Sequence, residues 1–215
     1  MKSKIKSFLI FKNSKVRKIP KEFQSDDNRN PESLVAYFLK EFTKKGDTVF
    51  DPFTGLGTTL IVSEQMGRIP FGIELDKKRT NYVKSQIKNK QNLINGNSKN
   101  LSSYKLPLFD FCFTSPLYTH NNGKPYKRYL KNIYEIFAQL KNLMKKNSYL
   151  VIEVSNLKDK DVTTLAWDIE KEVSKVLHFE GEIVIGWKGK DSYDDDGSYG
   201  YGYDHSYCLI FRNVK

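Results

Sequence analysis

The stretch that decides the fold is TVFDPFTGLGTT, residues 48–59. Its β-branched and aromatic start, TVF, predicts a short buried strand. Gly55 and Gly57 predict a tight turn whose backbone can approach a ligand closely, and the residues after the turn predict a helix. Because ligands bind beyond the carboxyl ends of the strands in open α/β sheets, we expect this turn to border a binding site.

The turn differs from two well-known phosphate-binding patterns. A nicotinamide dinucleotide fingerprint needs a third glycine at position 60, where the sequence has Leu60. No Gly-Lys-Ser or Gly-Lys-Thr follows the turn, which excludes a P-loop. A lone Gly-x-Gly is more often a plain turn at a helix start, so the turn by itself identifies no ligand.

Two acids at predicted strand ends indicate the ligand. Asp51 ends the first strand, and Glu74 ends the second, RIPFGIEL at residues 68–75. An acid at position 51 suits an amine better than a pyrophosphate, and a carboxylate at position 74 can accept hydrogen bonds from both hydroxyls of a ribose. S-Adenosylmethionine carries an amine, a sulfonium and a ribose. We therefore predict it as the cofactor.

Strands and helices alternate along the rest of the chain. Further strands are predicted at residues 92–96, 109–116, 148–154, 182–187 and 205–211, and helices at residues 31–44, 57–66, 76–90, 126–146 and 161–179. The alternation predicts an α/β fold with a doubly wound, Rossmann-like sheet of seven strands. The last two strands predict a C-terminal hairpin, so the sheet should be mostly parallel with one antiparallel strand.

The charge of the chain indicates a polyanionic partner. The formal net charge is +11, and the segment from Met1 to Lys21 contains eight Lys or Arg residues and no acid. This pattern predicts a basic N-terminal arm at residues 1–22, followed by a single domain at residues 23–215. A second basic cluster follows residue 118 and comprises Lys124, Lys127, Arg128 and Lys131. The alternative is a lysine-rich surface without a nucleic-acid partner.

The remaining composition indicates a cytoplasmic protein that does not enter a membrane. No stretch approaches the ~20 consecutive apolar residues that a membrane helix needs, and the early apolar run FLIF is too short for a signal sequence. Cys112 and Cys208 lie in apolar, strand-like runs, so we interpret them as buried free thiols. The three histidines have no metal-ligand spacing, and no metal is predicted.

Three stretches resemble the amino-directed DNA methyltransferases, which modify adenine N6 or cytosine N4. DPFTGLGTT at residues 51–59 is similar to their F-x-G-x-G cofactor motif, and TSPLY at residues 114–118 is similar to their [S/N]-P-P-[Y/F] catalytic motif. The segment NPESLVAYFLKEFTKKGDTVFDP at residues 30–52 resembles the helix that precedes the cofactor motif, which in the family touches the methionine end of the cofactor. The resemblance implies a methyltransferase sheet, S-adenosylmethionine as cofactor, and nucleic acid as substrate, with DNA favoured over RNA.

The same resemblance implies roles for individual residues. Catalysis is assigned to Ser115, Pro116 and Tyr118. Cofactor binding is assigned to Asn30, Ser33, Asp51, Phe53, Thr54, Gly55, Gly57, Thr58, Thr59, Glu74, Leu75, Asn97 and Thr114.

The Ser-Pro-x-Tyr end of the strand at residues 109–116 suits the exocyclic amino group of a base. The lone pair of that nitrogen is delocalised into the ring, and two acceptors drawing on its hydrogens can localise it. Ser115 and the carbonyl of Pro116 can supply the acceptors, and Tyr118 can stack on a base that has left the duplex, worth roughly 1–3 kcal/mol. The structural alternative is a Ser-Pro turn with a packed tyrosine.

Two loops are predicted to contact substrate. The first, at residues 119–129, is basic and aromatic, and substrate binding is predicted there for His120, Lys124, Tyr126, Lys127 and Arg128. The second, at residues 188–205, offers Tyr199, Tyr201 and Tyr203 for stacking, whereas its three consecutive aspartates repel phosphate. A plain hairpin loop is an equally good interpretation of the second loop.

The chain departs from the family pattern at three points. Leu117 replaces the second proline, Asn97 stands where an acid is usual, and no long insert offers a target-recognition domain. Serine at the first catalytic position is loosely associated with cytosine N4, which leaves adenine N6 open. We predict a DNA amino-methyltransferase, with a specificity subunit or a second copy of the chain as candidate partners. The alternatives are an RNA base methyltransferase and a catalytically silent nucleic-acid-binding homologue.

Overall fold

A computed structural model describes residues 5–214 except residues 13, 26, 118, 120–122, 159–161 and 189–204. The strands are β1 (Phe8–Lys12), β2 (Thr48–Asp51), β3 (Ile69–Glu74), β4 (Leu93–Asn95), β5 (Phe109–Thr114), β6 (Met144–Val154), β7 (Leu157–Lys158), β8 (Val162–Thr163), β9 (His178–Lys188) and β10 (His205–Arg212). The helices are α1 (Glu32–Phe42), α2 (Thr58–Gln65), α3 (Lys77–Gln86), α4 (Lys124–Leu143) and α5 (Leu165–Ser174). Tyr118, His120 and nearly all of the predicted loop at residues 188–205 therefore lie outside the described residues.

The main sheet has eight strands in the order β1-β9-β10-β6-β5-β2-β3-β4. β10 runs antiparallel to both of its neighbours, whereas the other pairings are parallel. The α/β class, the doubly wound arrangement and the single antiparallel strand are thus confirmed. The predicted count of seven is wrong, because the chain adds β1 at the edge.

The additional strand comes from the segment predicted to be a basic arm. Phe8–Lys12 pairs in parallel with the stretch of β9 from Val184 to Lys188. Its apolar residues FLIF can complete a sheet edge, and the high charge around them obscured this signal. The fold therefore begins well before the boundary predicted at residue 23.

The segment that follows β1 packs against the glycine turn. Arg17 donates from Nη2 to the carbonyl oxygen of Leu56 at 2.8 Å, and Glu32 accepts from the backbone nitrogen of Val16 at 3.0 Å. Ile19 and Phe23 share a buried apolar cluster with Leu56. The N-terminal segment is consequently a wall of the domain rather than a separate arm.

Apolar layers cover both faces of the sheet. One layer contains Phe38 of α1, with Phe111 and Cys208 from the sheet, and the other contains Phe137 of α4 and Cys112. Alternate residues of β5 point to opposite faces, which is why FDFCFT is apolar almost throughout. Both cysteines are free and buried, as predicted, and burial raises the pKa of each thiol.

Two helices differ from their predicted bounds. α4 begins at Lys124, so the basic stretch predicted as a loop to residue 129 is largely the first turns of a helix. α5 begins at Leu165, because Val162–Thr163 pairs instead with Leu157–Lys158 in a small antiparallel hairpin. Among the described residues, no helix is long and apolar enough to cross a membrane.

Candidate active site

The carboxyl ends of β2, β3 and β5 meet at one edge of the sheet, where a pocket of about 480 Å³ opens. This volume lies within the ~300–1,000 Å³ typical of small-molecule sites. Many of the residues predicted for cofactor and catalysis line it: Asn30, Asp51, Phe53, Thr54, Gly55, Thr58, Thr59, Glu74, Leu75, Asn97, Ser115 and Pro116. The sheet therefore brings the two predicted motifs into one cavity.

The glycine turn is fixed by its backbone and by α3. Gly55 and Gly57 have φ values of 54° and 81°, the left-handed region that glycine adopts at low cost. A Cβ atom on Gly57 would lie 2.6 Å from Cγ1 of Val83, so α3 can pack closely only against a glycine. Gly57 does not line the pocket, and its contribution is to hold the turn.

Asp51 lies at the bottom of the pocket and is only 4% exposed. Its Oδ1 accepts a 2.6 Å hydrogen bond from Oγ1 of Thr114 and a 2.9 Å bond from the backbone nitrogen of Phe53. Burial raises the pKa of Asp51 to about 6, although these hydrogen bonds act in the opposite direction. Thr114 does not line the pocket and reaches it only through Asp51.

Glu74 stands at the end of β3, across the glycine turn. Its two carboxylate oxygens accept hydrogen bonds from the backbone nitrogens of Gly55, at 2.7 Å, and Asp76, at 2.8 Å. Burial raises the pKa of Glu74, and the two backbone donors partly offset this effect. The carboxylate is therefore held in place while it retains lone pairs for a ligand.

Ser115 and Pro116 follow β5 and line the other end of the pocket. Oγ of Ser115 donates a 3.0 Å hydrogen bond to Oε2 of Glu153 on β6. Pro116 is buried, whereas Leu117 is 73% exposed and also lines the cavity. The role of Tyr118 remains a prediction, since this residue lies outside the described part of the chain.

Several lining or adjoining residues were missed in the sequence. Arg29 and Arg79 line the pocket, and Glu153 is bonded to Ser115. The available signal for Glu153 was an acid within the apolar run SYLVIEV, at the carboxyl end of a predicted strand. Arg29 gave no signal beyond a polar stretch before a helix. Conversely, Ser33 lies on α1 and is absent from the pocket lining.

The predicted substrate residues on α4 divide into two groups. Lys124, Lys127 and Arg128 are exposed on the first turns of the helix. Tyr126 is buried, and its hydroxyl donates a 2.6 Å hydrogen bond to Oδ2 of Asp168 on α5. Tyr126 therefore ties α4 to α5, which differs from the predicted contact with substrate.

The N-terminal part of the chain matches a family of known proteins. Residues 4–85 match the N6/N4 family model, which is described as a DNA methylase. The type II methyltransferase M2.DpnII of Streptococcus pneumoniae is 30% identical over 78 residues, which cover 36% of this chain and 29% of that enzyme. The type II methyltransferase M.BamHI of Bacillus amyloliquefaciens is 39% identical over 75 residues, which cover 33% of this chain and 17% of that enzyme.

This part of the chain is similar to the amino-directed DNA methyltransferases. The match includes the glycine turn, Asp51 and Glu74, and it ends before Ser115. Each matched segment spans less than a third of its relative's length.

The fold beyond the matched segment is also that of a methyltransferase. A TehB-like, S-adenosylmethionine-dependent methyltransferase from Corynebacterium glutamicum superposes with a TM-score of 0.57 at 12% identity. The superposition covers 88% of this chain and 91% of that one. The Rossmann-like methyltransferase sheet predicted from the family resemblance is therefore confirmed.

Proposed function

We propose that the protein is an S-adenosylmethionine-dependent methyltransferase that modifies the exocyclic amino group of a base in DNA, at cytosine N4 or adenine N6. The observation that carries the proposal is that the same pocket has Asp51 and Glu74 along one part and Ser115 with Pro116 along another. A cofactor and an acceptor base can meet in one cavity only if both sets of residues face it. The family match of residues 4–85 supports the same conclusion.

The cofactor half of the pocket fits S-adenosylmethionine. The carboxylate of Asp51 suits the amine, and the carboxylate of Glu74 suits the ribose hydroxyls. Arg29 suits the carboxylate at the methionine end of the cofactor. Its Nη1 is buried without a hydrogen-bond partner among the described residues and lies 3.8 Å from Oε1 of Glu32. Oγ1 of Thr58, which is likewise buried without such a partner in the described part of the chain, also belongs to a lining residue. A bound carboxylate or polar ligand atom would satisfy both groups.

The base half of the pocket fits an amino group. When bound, the cofactor supplies a methyl group on a positively charged sulfur. Ser115 and the carbonyl of Pro116 accept the two amino hydrogens and thereby localise the nitrogen lone pair. The exposed side chain of Leu117 can contact the base without adding a polar group.

DNA is the proposed substrate because the matched relatives are named as type II methyltransferases and the chain is strongly basic. The exposed cations at the start of α4 suit phosphate groups beside the pocket. We further propose a cytoplasmic protein that acts with a separate specificity subunit or a second copy of the chain.

The proposal is tested by incubating the protein with methyl-labelled S-adenosylmethionine and either DNA or RNA, followed by mass spectrometry of the nucleosides. We expect N4-methylcytosine or N6-methyladenine from DNA, and neither product from the Glu74→Ala variant. Glu182→Ala, a change of the same kind at an exposed position of β9, is the matched control and should retain activity. Methylated nucleosides from RNA alone would identify RNA, not DNA, as the substrate. Binding of nucleic acid without any methylated product would favour a catalytically silent homologue.

A further inference from the structure

We propose that Glu153 is the positioning residue of the acceptor site: it turns the Ser115 hydroxyl into a hydrogen-bond acceptor and takes up the proton that the amino group loses. This inference rests on the proposed function of the same pocket. It adds a residue that neither the sequence patterns nor the family match includes, since the match ends at residue 85.

The position of Glu153 is unusual for an acid. It lies one residue before the end of β6, is 3% exposed, and follows the fully buried residues Leu150, Val151 and Ile152. Burial of a carboxylate is costly unless hydrogen bonds or charges compensate it. Ser115 supplies one such bond at 3.0 Å. An acid retained at this depth, beside a predicted catalytic residue, is a candidate for a functional role.

The chemistry of a hydroxyl explains what the contact does. A serine hydroxyl has one proton to donate and two lone pairs with which to accept. Ser115 can accept an N–H from a base only if its own proton points elsewhere. Oε2 of Glu153 receives that proton, so the lone pairs of Ser115 are left for the pocket that it lines.

The neighbouring acid is already engaged in a different contact. Asp51 lies on β2, on one side of β5, and is bonded to Thr114; Glu153 lies on β6, on the other side, and is bonded to Ser115. Two consecutive residues thus bond to two different acids: Asp51 lines the pocket itself, whereas Glu153 is connected to it through Ser115. Asp51 and Glu153 therefore have different hydrogen-bond donors, Thr114 and Ser115.

The proton transfer balances without an additional reactant. The nitrogen lone pair forms the new N–C bond while the S–C bond breaks and its electron pair stays on sulfur. The nitrogen, now positively charged, passes a proton to Oγ of Ser115, and the original hydroxyl proton moves to Oε2 of Glu153. The amine and the serine end neutral, and Glu153 ends as a neutral acid that releases its proton before the next turnover.

The test is a double-mutant cycle of Ser115→Ala and Glu153→Gln. In the free protein, melting curves of the four forms measure whether the two changes are coupled. With cofactor and the nucleic acid identified by the labelling assay, single-turnover rates measure the same coupling in methyl transfer. Calorimetric titration of S-adenosylmethionine checks that the cofactor site is intact. Glu182→Gln, at an exposed position of β9, is the matched control, and Glu153→Asp replaces Glu153→Gln if the latter fails to fold.

We expect Glu153→Gln to lower the single-turnover rate by about 10²-fold at unchanged cofactor affinity, the lower end of the range for proton-transfer residues. In the Ser115→Ala background it should cause little further loss, since Glu153 acts through Ser115. Any of three results would overturn the role of Glu153: a wild-type rate of transfer in Glu153→Gln, independent effects of the two changes on the rate, or additive shifts of the melting temperature. None of these results would overturn the proposed function. A wild type that methylates neither DNA nor RNA would overturn the proposed function as well.

Discussion

Oγ1 of Thr114 lies 2.6 Å from Oδ1 of Asp51, and this bond joins the end of β5 to the end of β2 beneath the pocket. Asp51 belongs to the cofactor motif and Thr114 begins the TSPLY motif. The bond therefore makes the geometry of the cofactor acid depend on the strand that carries the catalytic residues.

Thr114→Val keeps the shape of the side chain and removes this donor. Loss of a hydrogen bond to the charged form raises the pKa of Asp51, so less of the carboxylate is ionised at pH 7. We expect S-adenosylmethionine to bind about twofold more weakly at pH 7 by calorimetry, because a rise of about one unit from a pKa of about 6 lowers the ionised fraction from about nine-tenths to about one half. Thr48→Val is the control, because Oγ1 of Thr48 donates to Oδ2 of Asp110 at 2.8 Å, at the opposite end of β2. Equal affinities for both variants would contradict the role of Thr114.

Cofactor affinity should depend on pH through Asp51. The pKa of Asp51 is about 6, so this acid is mostly ionised at pH 7 and mostly protonated at pH 5. A protonated acid no longer attracts the cofactor amine, and we expect the dissociation constant to rise by roughly tenfold across that interval. Asp51→Asn should bind weakly at both pH values. Asp110→Asn should retain the wild-type dependence, since Lys145 and Thr48 counter burial and keep the pKa of Asp110 below its ordinary value.

The same acid should reduce the stability of the free protein at neutral pH. The folded-state pKa of Asp51 is raised from 3.8 to about 6, so the neutral acid is the form that folding favours. Its favourable contribution is fully present below pH 3.8 and is lost as pH rises through about 6. Asp51→Asn should therefore be more stable than the wild type at pH 7, by up to about 3 kcal/mol, with the difference vanishing near pH 4. Denaturant titrations at the two pH values measure this, and a less stable Asp51→Asn at pH 7 would disprove it.

Gly57→Ala should destabilise the protein more than Gly46→Ala. Both glycines have positive φ values, 81° and 87°, so both alanine variants carry backbone strain of about 1–2 kcal/mol. A new Cβ at residue 57 also meets Val83 at 2.6 Å, whereas nothing lies within 4 Å of one at residue 46. The clash should add about 1–3 kcal/mol, visible as a lower melting temperature. Equal melting temperatures would show that α3 moves aside without cost.

The exposed cations at the start of α4 should contribute to nucleic-acid binding. Replacing Lys124, Lys127 and Arg128 with glutamine removes three charges without touching the core. We expect weaker binding and a salt dependence whose slope falls by about 0.9 for each phosphate that the variant no longer neutralises. The matched control replaces Lys40, Lys44 and Lys45 with glutamine. These lysines lie at the end of α1 and just before β2, whereas the pocket lies at the other end of that strand. Titrations at several salt concentrations compare the two triple variants, and identical slopes would remove α4 from the interface.

The order of strands and helices was predictable because apolar runs and glycine turns are local signals. The pocket was predictable to the extent that its residues follow strands: Asp51, Glu74 and Ser115 reach one edge because parallel strands end together. Glu153 and Arg29 were not predicted, since their positions depend on which strand neighbours β5 and on how the N-terminal segment returns across the turn. β1 was missed because charge dominated its surroundings.

The pairing of β1 with β9 affects how the protein folds during its synthesis. Phe8 pairs with Val184 and Lys12 with Lys188, so β1 finds its partner strand 176 residues further along the chain. Until then its backbone groups lack those ladder bonds, and its FLIF run is available to other nascent chains. Late closure of such a distant pairing is slow. Newly synthesised chains are accordingly most exposed to aggregation just before β9 is complete, and a chain truncated ahead of β9 retains that exposure permanently.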